Sequence, residues 1–192
     1  MNSLSLTRDK TNIKLIVGLG NIGEKYAHTR HNAGFLFLDY LTHFFLKSKG
    51  FHPDTQEDKY YKVYTYEELD IVCLKPSMMM NRSGEALLEF IKYKDYMLSE
   101  ILVVHDDLDI ALGKYKLQPL KSPKLHNGIT SIEKVLAGKD FYRLRIGVEN
   151  RKGIPIPGVS FVLEKFSKEE LDQLDLVFND ILCDEFIINS ID

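Results

Sequence analysis

Gly18-Leu19-Gly20-Asn21-Ile22-Gly23, entered from the apolar run Ile13 to Val17 and left through Tyr26 and Thr29-Arg30-His31-Asn32, is the stretch on which the fold turns. A short apolar run closed by glycines reads as a buried strand ending in a turn. A second run, Ile101 to Val104, opens in the same way onto His105-Asp106-Asp107-Leu108-Asp109. Both motifs are therefore expected at the carboxyl ends of strands, where an open α/β sheet binds its ligands. A histidine and an aspartate delivered there by separate strands can meet as a general base and the group that orients it.

The glycines also satisfy the G-x-G-x-x-G of dinucleotide-binding folds, with Asp39 near the position of a ribose-binding acid. That fingerprint needs the acid at the end of a second strand. Asp39 instead falls among Phe35, Leu38, Leu41 and Phe45, an apolar series at helical spacing. The residues following Gly23 also lack the small, apolar pattern of a helix packed behind a pyrophosphate, so the dinucleotide reading is set aside.

Outward from these motifs the chain alternates strands and helices. Strands are expected at Ile13 to Val17, Tyr61 to Tyr66, Ile71 to Leu74, Ile101 to Val104, Lys114 to Leu117 and Arg143 to Val148. Helices are expected at Phe35 to Leu46, Gly84 to Tyr93, Ile129 to Leu136 and near the C-terminus. The last has a capping box, Ser167 with Glu170, ahead of Leu171, Leu174, Val177 and Phe178. Loops are expected at Ser48 to Lys59, Leu117 to His126 and Asn150 to Gly158. We expect an α/β fold in a single domain over residues 1–192: a mixed, mostly parallel twisted sheet with helices on both faces, and residues 1–12 as a flexible extension.

The 44% hydrophobic content suits a globular chain, and no apolar run approaches a membrane span. Met1 to Asn12 is polar and lacks a secretory signal's apolar stretch, so a cytoplasmic protein is expected. Cys73 and Cys183 show no paired metal-ligand spacing and read as buried or half-buried thiols. The net charge of −3 argues against nucleic acid, but its distribution does not. Lys114, Lys116, Lys121 and Lys124 occur with no acid between Ala111 and His126, and Arg143 and Arg145 follow. A local patch of this kind can meet phosphates, although a solvated lysine-bearing loop would look the same.

Three asparagines fall at element ends: Asn21 after the first strand, Asn81 in Met78-Met79-Met80-Asn81-Arg82-Ser83-Gly84, and Asn127 in His126-Asn127-Gly128. A neutral carboxamide can hold an ester or amide carbonyl together with a water. Singly these are cap or turn residues; with His31 and Asp106 they compose a site. Ser83 lacks a nucleophile elbow and reads as a helix-start residue, which leaves water as the nucleophile. His105, Asp106, Asp107 and Asp109 are acid-rich but adjacent in sequence, and without a second histidine at ligand spacing they argue for no metal.

Taken together, GLGNIG with Tyr26, TRHNAG, MNRSG, ILVVHDDLDIALGKYKL, HNGITSI and FYRLRIGV with VSFVLEKF resemble, in order, the bacterial-type peptidyl-tRNA hydrolases from about Lys14 to Phe166. The resemblance implies a monomeric esterase without metal or cofactor. It would cut the ester between peptide and tRNA, recycling tRNA from aborted translation. It implies His31 as catalytic base, Asp106 as its partner and Asn21 positioning the scissile carbonyl or its water. Met80, Asn81 and Asn127 would bind the peptide backbone and the tRNA end, Tyr26 the tRNA terminus, and Lys116 with Arg145 a phosphate of the acceptor stem. Neutral amides suit a peptide of any sequence, and outlying cations suit a phosphate backbone.

The chain departs from the family at Gln118-Pro119-Leu120-Lys121-Ser122-Pro123-Lys124-Leu125, where a glycine-rich loop is usual. Two prolines predict a stiffer, more basic segment. A non-catalytic RNA-binding relative of the same fold stands as the alternative function, and a small-molecule hydrolase as a third.

Overall fold

The computed structural model describes residues 12–119, 125–184 and 187. Seven strands form one sheet: β1 (Leu15–Gly18), β2 (Asp54–Glu57), β3 (Tyr61–Tyr66), β4 (Ile71–Pro76), β5 (Ile101–Ala111), β6 (Tyr115–Pro119) and β7 (Tyr142–Glu149), in the order β2-β3-β4-β1-β5-β7-β6. The sheet is mixed. The central pairings β4-β1, β1-β5 and β5-β7 are parallel, and β2-β3, β3-β4 and β6-β7 are antiparallel. The expected parallel majority thus becomes an even division: β2-β3 and β3-β4 are joined by short connections that permit only antiparallel neighbours, and β6 runs antiparallel to β7 although α4 lies between them in the chain.

Alternation along β1 and β5 sends residues to two cores. Ile16, Leu102 and Val104 face one helical layer, formed by α1 (Ala33–Asp39) with its π-helical continuation Tyr40–Phe45, and by α6 (Lys168–Leu182). Leu15, Val17, Ile101 and Val103 face the other, formed by α3 (Ser83–Ile91) and α4 (Asn127–Leu136). Two short helices, α2 (Leu46–Ser48) and α5 (Gly158–Phe161), complete the set. The capping box at α6 is present, with Ser167 Oγ accepting from Glu170 N–H at 3.2 Å.

Asp39 closes α1 and binds Lys75 at 2.6 Å, on a helix as its spacing required. The glycines before it serve packing. A Cβ on Gly18 would stand 2.6 Å from the Gly34 carbonyl, and one on Gly20 would stand 2.5 Å from the Phe35 ring. They let α1 lie close against β1.

Three further expectations are corrected. The segment expected as loop Ser48 to Lys59 contains β2, four exposed residues on the sheet edge. Cys183 is exposed, although Cys73 is buried. The His105-Asp106 motif lies inside β5 and not beyond its end. Two parts of the reading, the extension ahead of Asn12 and the loop residues Lys121, Pro123 and Lys124, fall outside the described residues. Among the described residues no helix is long and apolar enough to cross a membrane.

Candidate active site

β5 outruns its neighbour. β1 ends at Gly18, opposite Val104, while β5 continues along β7, with His105 facing Arg145 and Asp106 facing Ile146. Asp106 therefore stands past the end of β1, where the turn Arg30–Asn32 brings His31. Beyond Asp107 the β5-β7 register shifts, and the irregular residues Leu108 and Asp109 line the same cleft. A bulge beside a site re-aims side chains in this way.

His31 Nδ1 lies 2.9 Å from Asp106 Oδ1, and His126 Nε2 lies 3.0 Å from the same oxygen. A carboxylate only accepts, so both imidazoles present N–H to it. His126 Nδ1 accepts from Ile129 N–H at 3.2 Å, which fixes His126 as the Nε2–H tautomer. His31 is left with its lone pair on Nε2.

Asp106 is buried, and burial alone would raise its pKa. The two imidazoles, by charge and hydrogen bond, outweigh burial and hold it well below the usual carboxylate range. Burial would likewise lower the His31 pKa, but the charge and hydrogen bond of Asp106 raise it above the ordinary histidine value of 6.5. His105 is fully buried with its ring edge-on to His126 at 4.8 Å, and burial followed by His126 pushes its pKa down to about 3. It is a neutral packing partner.

The asparagines are held with equal definition. Asn32 clamps the Asn21 backbone from both sides: its Oδ1 accepts Asn21 N–H at 2.8 Å, and its Nδ2 donates to the Asn21 carbonyl at 3.0 Å. Asn21 Oδ1 accepts Met80 N–H at 2.8 Å. The Asn21 side-chain oxygen is thus occupied, and its NH₂ is the group left to offer a ligand. Asn81 sits in the turn Met80–Arg82 and Asn127 opens α4, both exposed. Gly128 matters beside Asn127, because a Cβ there would meet Met80 Sδ at 2.5 Å.

These residues surround a cleft of about 850 Å³. Asn21, Tyr26, His31, Met80, Asn81, Asp106 and Asn127 all line it, and Leu108, Leu125, Val159, Val162 and Leu163 supply apolar walls. Lys116 and Arg145 do not line it. They face each other across the β6-β7 register, Lys116 exposed and Arg145 buried, with Arg145 Nε on Asp107 at 2.7 Å and a terminal nitrogen on Gln118 at 3.2 Å. Sequence alone assigns no role to His126 or Asn32. The signal for His126 is a histidine at the position just before a helix, where Ser, Thr, Asp or Asn is usual; Asn32 has only its adjacency to His31.

His31, Asp106 and His126 bring three possible metal-ligand atoms within 4.8 Å of one another. The donor pattern does not fit a metal centre. A ligating histidine donates its second N–H to an acceptor, whereas His126 Nδ1 faces the N–H of Ile129.

Residues 15–187 match the family model described as peptidyl-tRNA hydrolase. A peptidyl-tRNA hydrolase of Staphylococcus haemolyticus is 42% identical over 171 residues, covering 86% of this chain and 85% of that protein. One from Geotalea daltonii is 37% identical over 175 residues, covering 88% and 86%. The crystal structure of peptidyl-tRNA hydrolase from Acinetobacter baumannii superposes with a TM-score of 0.78 at 31% identity, covering 95% of this chain and 90% of that one. With the family's model matched over residues 15–187 and its fold reproduced, this chain belongs to the peptidyl-tRNA hydrolase family.

Proposed function

We propose that this protein hydrolyses the ester joining a peptide to the 3′ end of tRNA, with His31 as general base and water as nucleophile. The observation that carries this is the shared Asp106 oxygen, which holds His31 at 2.9 Å and so fixes Nε2 as the basic nitrogen at the floor of a cleft ringed by Asn21, Asn81 and Asn127. His31 Nε2 takes a proton from water as the oxygen adds to the ester carbonyl. The Asn21 NH₂, free because its oxygen is bound to Met80, donates to the oxygen that gains negative charge. The intermediate then expels the ribose oxygen, which recovers the proton from His31 and leaves a peptide carboxylate and tRNA.

Asn81 and Asn127 hold the peptide backbone and the tRNA end, with Met80 beneath them and Tyr26 at the terminal nucleotide. Lys116 meets an acceptor-stem phosphate. Arg145, buried against Asp107, supports that strand pair and lends charge from beneath. The protein works as a monomer in the cytoplasm, without cofactor or metal. A binding-only relative would have no need of a base held this firmly.

The test is incubation with an N-acylated aminoacyl-tRNA and with the same tRNA bearing a free amino group. Release from the first alone is expected, unchanged by a chelator. Release from neither, under conditions where tRNA binds, would favour the binding-only reading, and loss on chelation restored by a divalent ion would overturn the metal-free one.

A further inference from the structure

The turn carrying His31 is fastened to one segment of chain. His31 N–H donates to the Val162 carbonyl at 2.7 Å, Arg30 N–H to Glu164 at 3.1 Å, and Phe166 N–H returns to the His28 carbonyl at 2.9 Å. The same segment, from Pro157 to Leu163, forms a wall of the cleft. Arg30 is the side chain that locks the two together. It is 6% exposed and lies over the rings of Phe161 and Phe166, at 4.2 Å and 5.2 Å. One terminal nitrogen donates to the carbonyls of Glu164 and Lys165, at 3.3 Å and 2.9 Å. The other grips both carboxylate oxygens of Glu170, at 2.7 Å and 2.9 Å. Glu170 also accepts from Ser167 N–H at 2.8 Å and Asn150 Nδ2 at 3.0 Å, which ties the start of α6 into the same knot.

We infer that Arg30 is a positioning residue for the reaction: through Glu170 and the carbonyls of Glu164 and Lys165, it sets where His31 stands relative to the cleft wall. A peptide seated against Val159, Val162 and Leu163 is thereby held in register with the base. The chemistry asks for arginine, because a guanidinium grips a carboxylate at two points, reaches two carbonyls and stacks on rings at once, which an ammonium cannot do. Small misplacements at a reacting centre are expensive; about 1 Å can cost about 100-fold in rate. The inference rests on His31 being the base.

The test uses the full chain with Arg30→Lys, Glu170→Gln and both together, assayed for kcat and KM on N-acylated aminoacyl-tRNA and by NMR titration of the His31 imidazole, which faces Asp106 and His126. Arg30→Lys is expected to lower kcat by about 10- to 100-fold while KM moves less than about threefold. Glu170→Gln, at a partly exposed site, should do the same more mildly, and the double variant should be no worse than Arg30→Lys alone. The His31 titration should move down from its raised position in both single variants, with the thermal midpoint still above the assay temperature. Wild-type kcat and an unmoved His31 titration in both variants would overturn the inference, as would a rate loss equal to the unfolded fraction. If the wild-type protein hydrolyses no ester, the functional reading fails, and the His31 titration still decides whether Arg30 positions that ring.

Discussion

Asp106 remains a carboxylate where burial opposes charge, because two imidazoles share one of its oxygens. His31 gains the complementary benefit, a pKa raised above 6.5 against the pull of burial. Since the base works deprotonated, activity should fall as pH drops through that raised value, so the acid limb of kcat/KM should lie above 6.5. Asp106→Asn leaves burial as the dominant influence, and the limb should then move below 6.5, together with a loss of rate. A limb that stays in place would show that Asp106 does not tune His31. His31→Ala should cost about 100- to 10,000-fold in rate with the fold intact, read by single-turnover hydrolysis beside circular dichroism. The pair also links folding to pH in two senses. The raised His31 contributes stability that is present below 6.5 and lost as pH rises through its folded value, while the depressed Asp106 contributes stability present above 3.8 and lost as pH falls through its own.

Among the elements, β5 does most to build the site, because its extra length carries Asp106 past the end of β1. The helices must then approach closely enough to close the cleft, and glycines permit it. A Cβ on Gly34 would meet the Val104 carbonyl at 2.3 Å and Leu19 N at 2.5 Å, and one on Gly84 would meet the Ser131 carbonyl at 2.1 Å. These neighbours are backbone and cannot rotate away. Gly34→Ala and Gly84→Ala should each destabilise the fold by about 1–3 kcal/mol, measured as a lowered urea midpoint with an unchanged slope. The Gly34 variant should also lose activity, since α1 begins directly after the His31 turn. Equal activity per folded molecule in both variants would separate α1's placement from the position of His31.

Across the whole molecule, the chemistry and the cations are set apart. Lys116 sits on the outermost strand β6, away from the cleft lining. Lys116→Glu should weaken binding of full-length substrate, reduce the salt slope by about one, and leave a minimal acylated-adenosine substrate nearly unaffected. Equal losses on both would place Lys116 at the chemistry. Arg145→Glu is a different experiment, because it leaves Asp107 facing a second carboxylate in a buried position, and it should disrupt the β5-β7 pairing. Legible along the chain are the alternation of strands and helices, the helical placement of Asp39, the α6 cap, and the motifs that carry His31, Asp106 and the three asparagines. Each of those rests on local periodicity, on a cap that local residues complete, or on motifs that keep their order. Packing between distant segments sets the rest: β2, whose exposed residues carry no alternating pattern; the reach of β5 past β1; the burial that separates Arg145 from Lys116; and His126, whose part depends on the Ile129 N–H that fixes its tautomer and the Asp106 oxygen it shares. Burial and shared hydrogen bonds arise only when distant segments pack, so no spacing along one segment announces them.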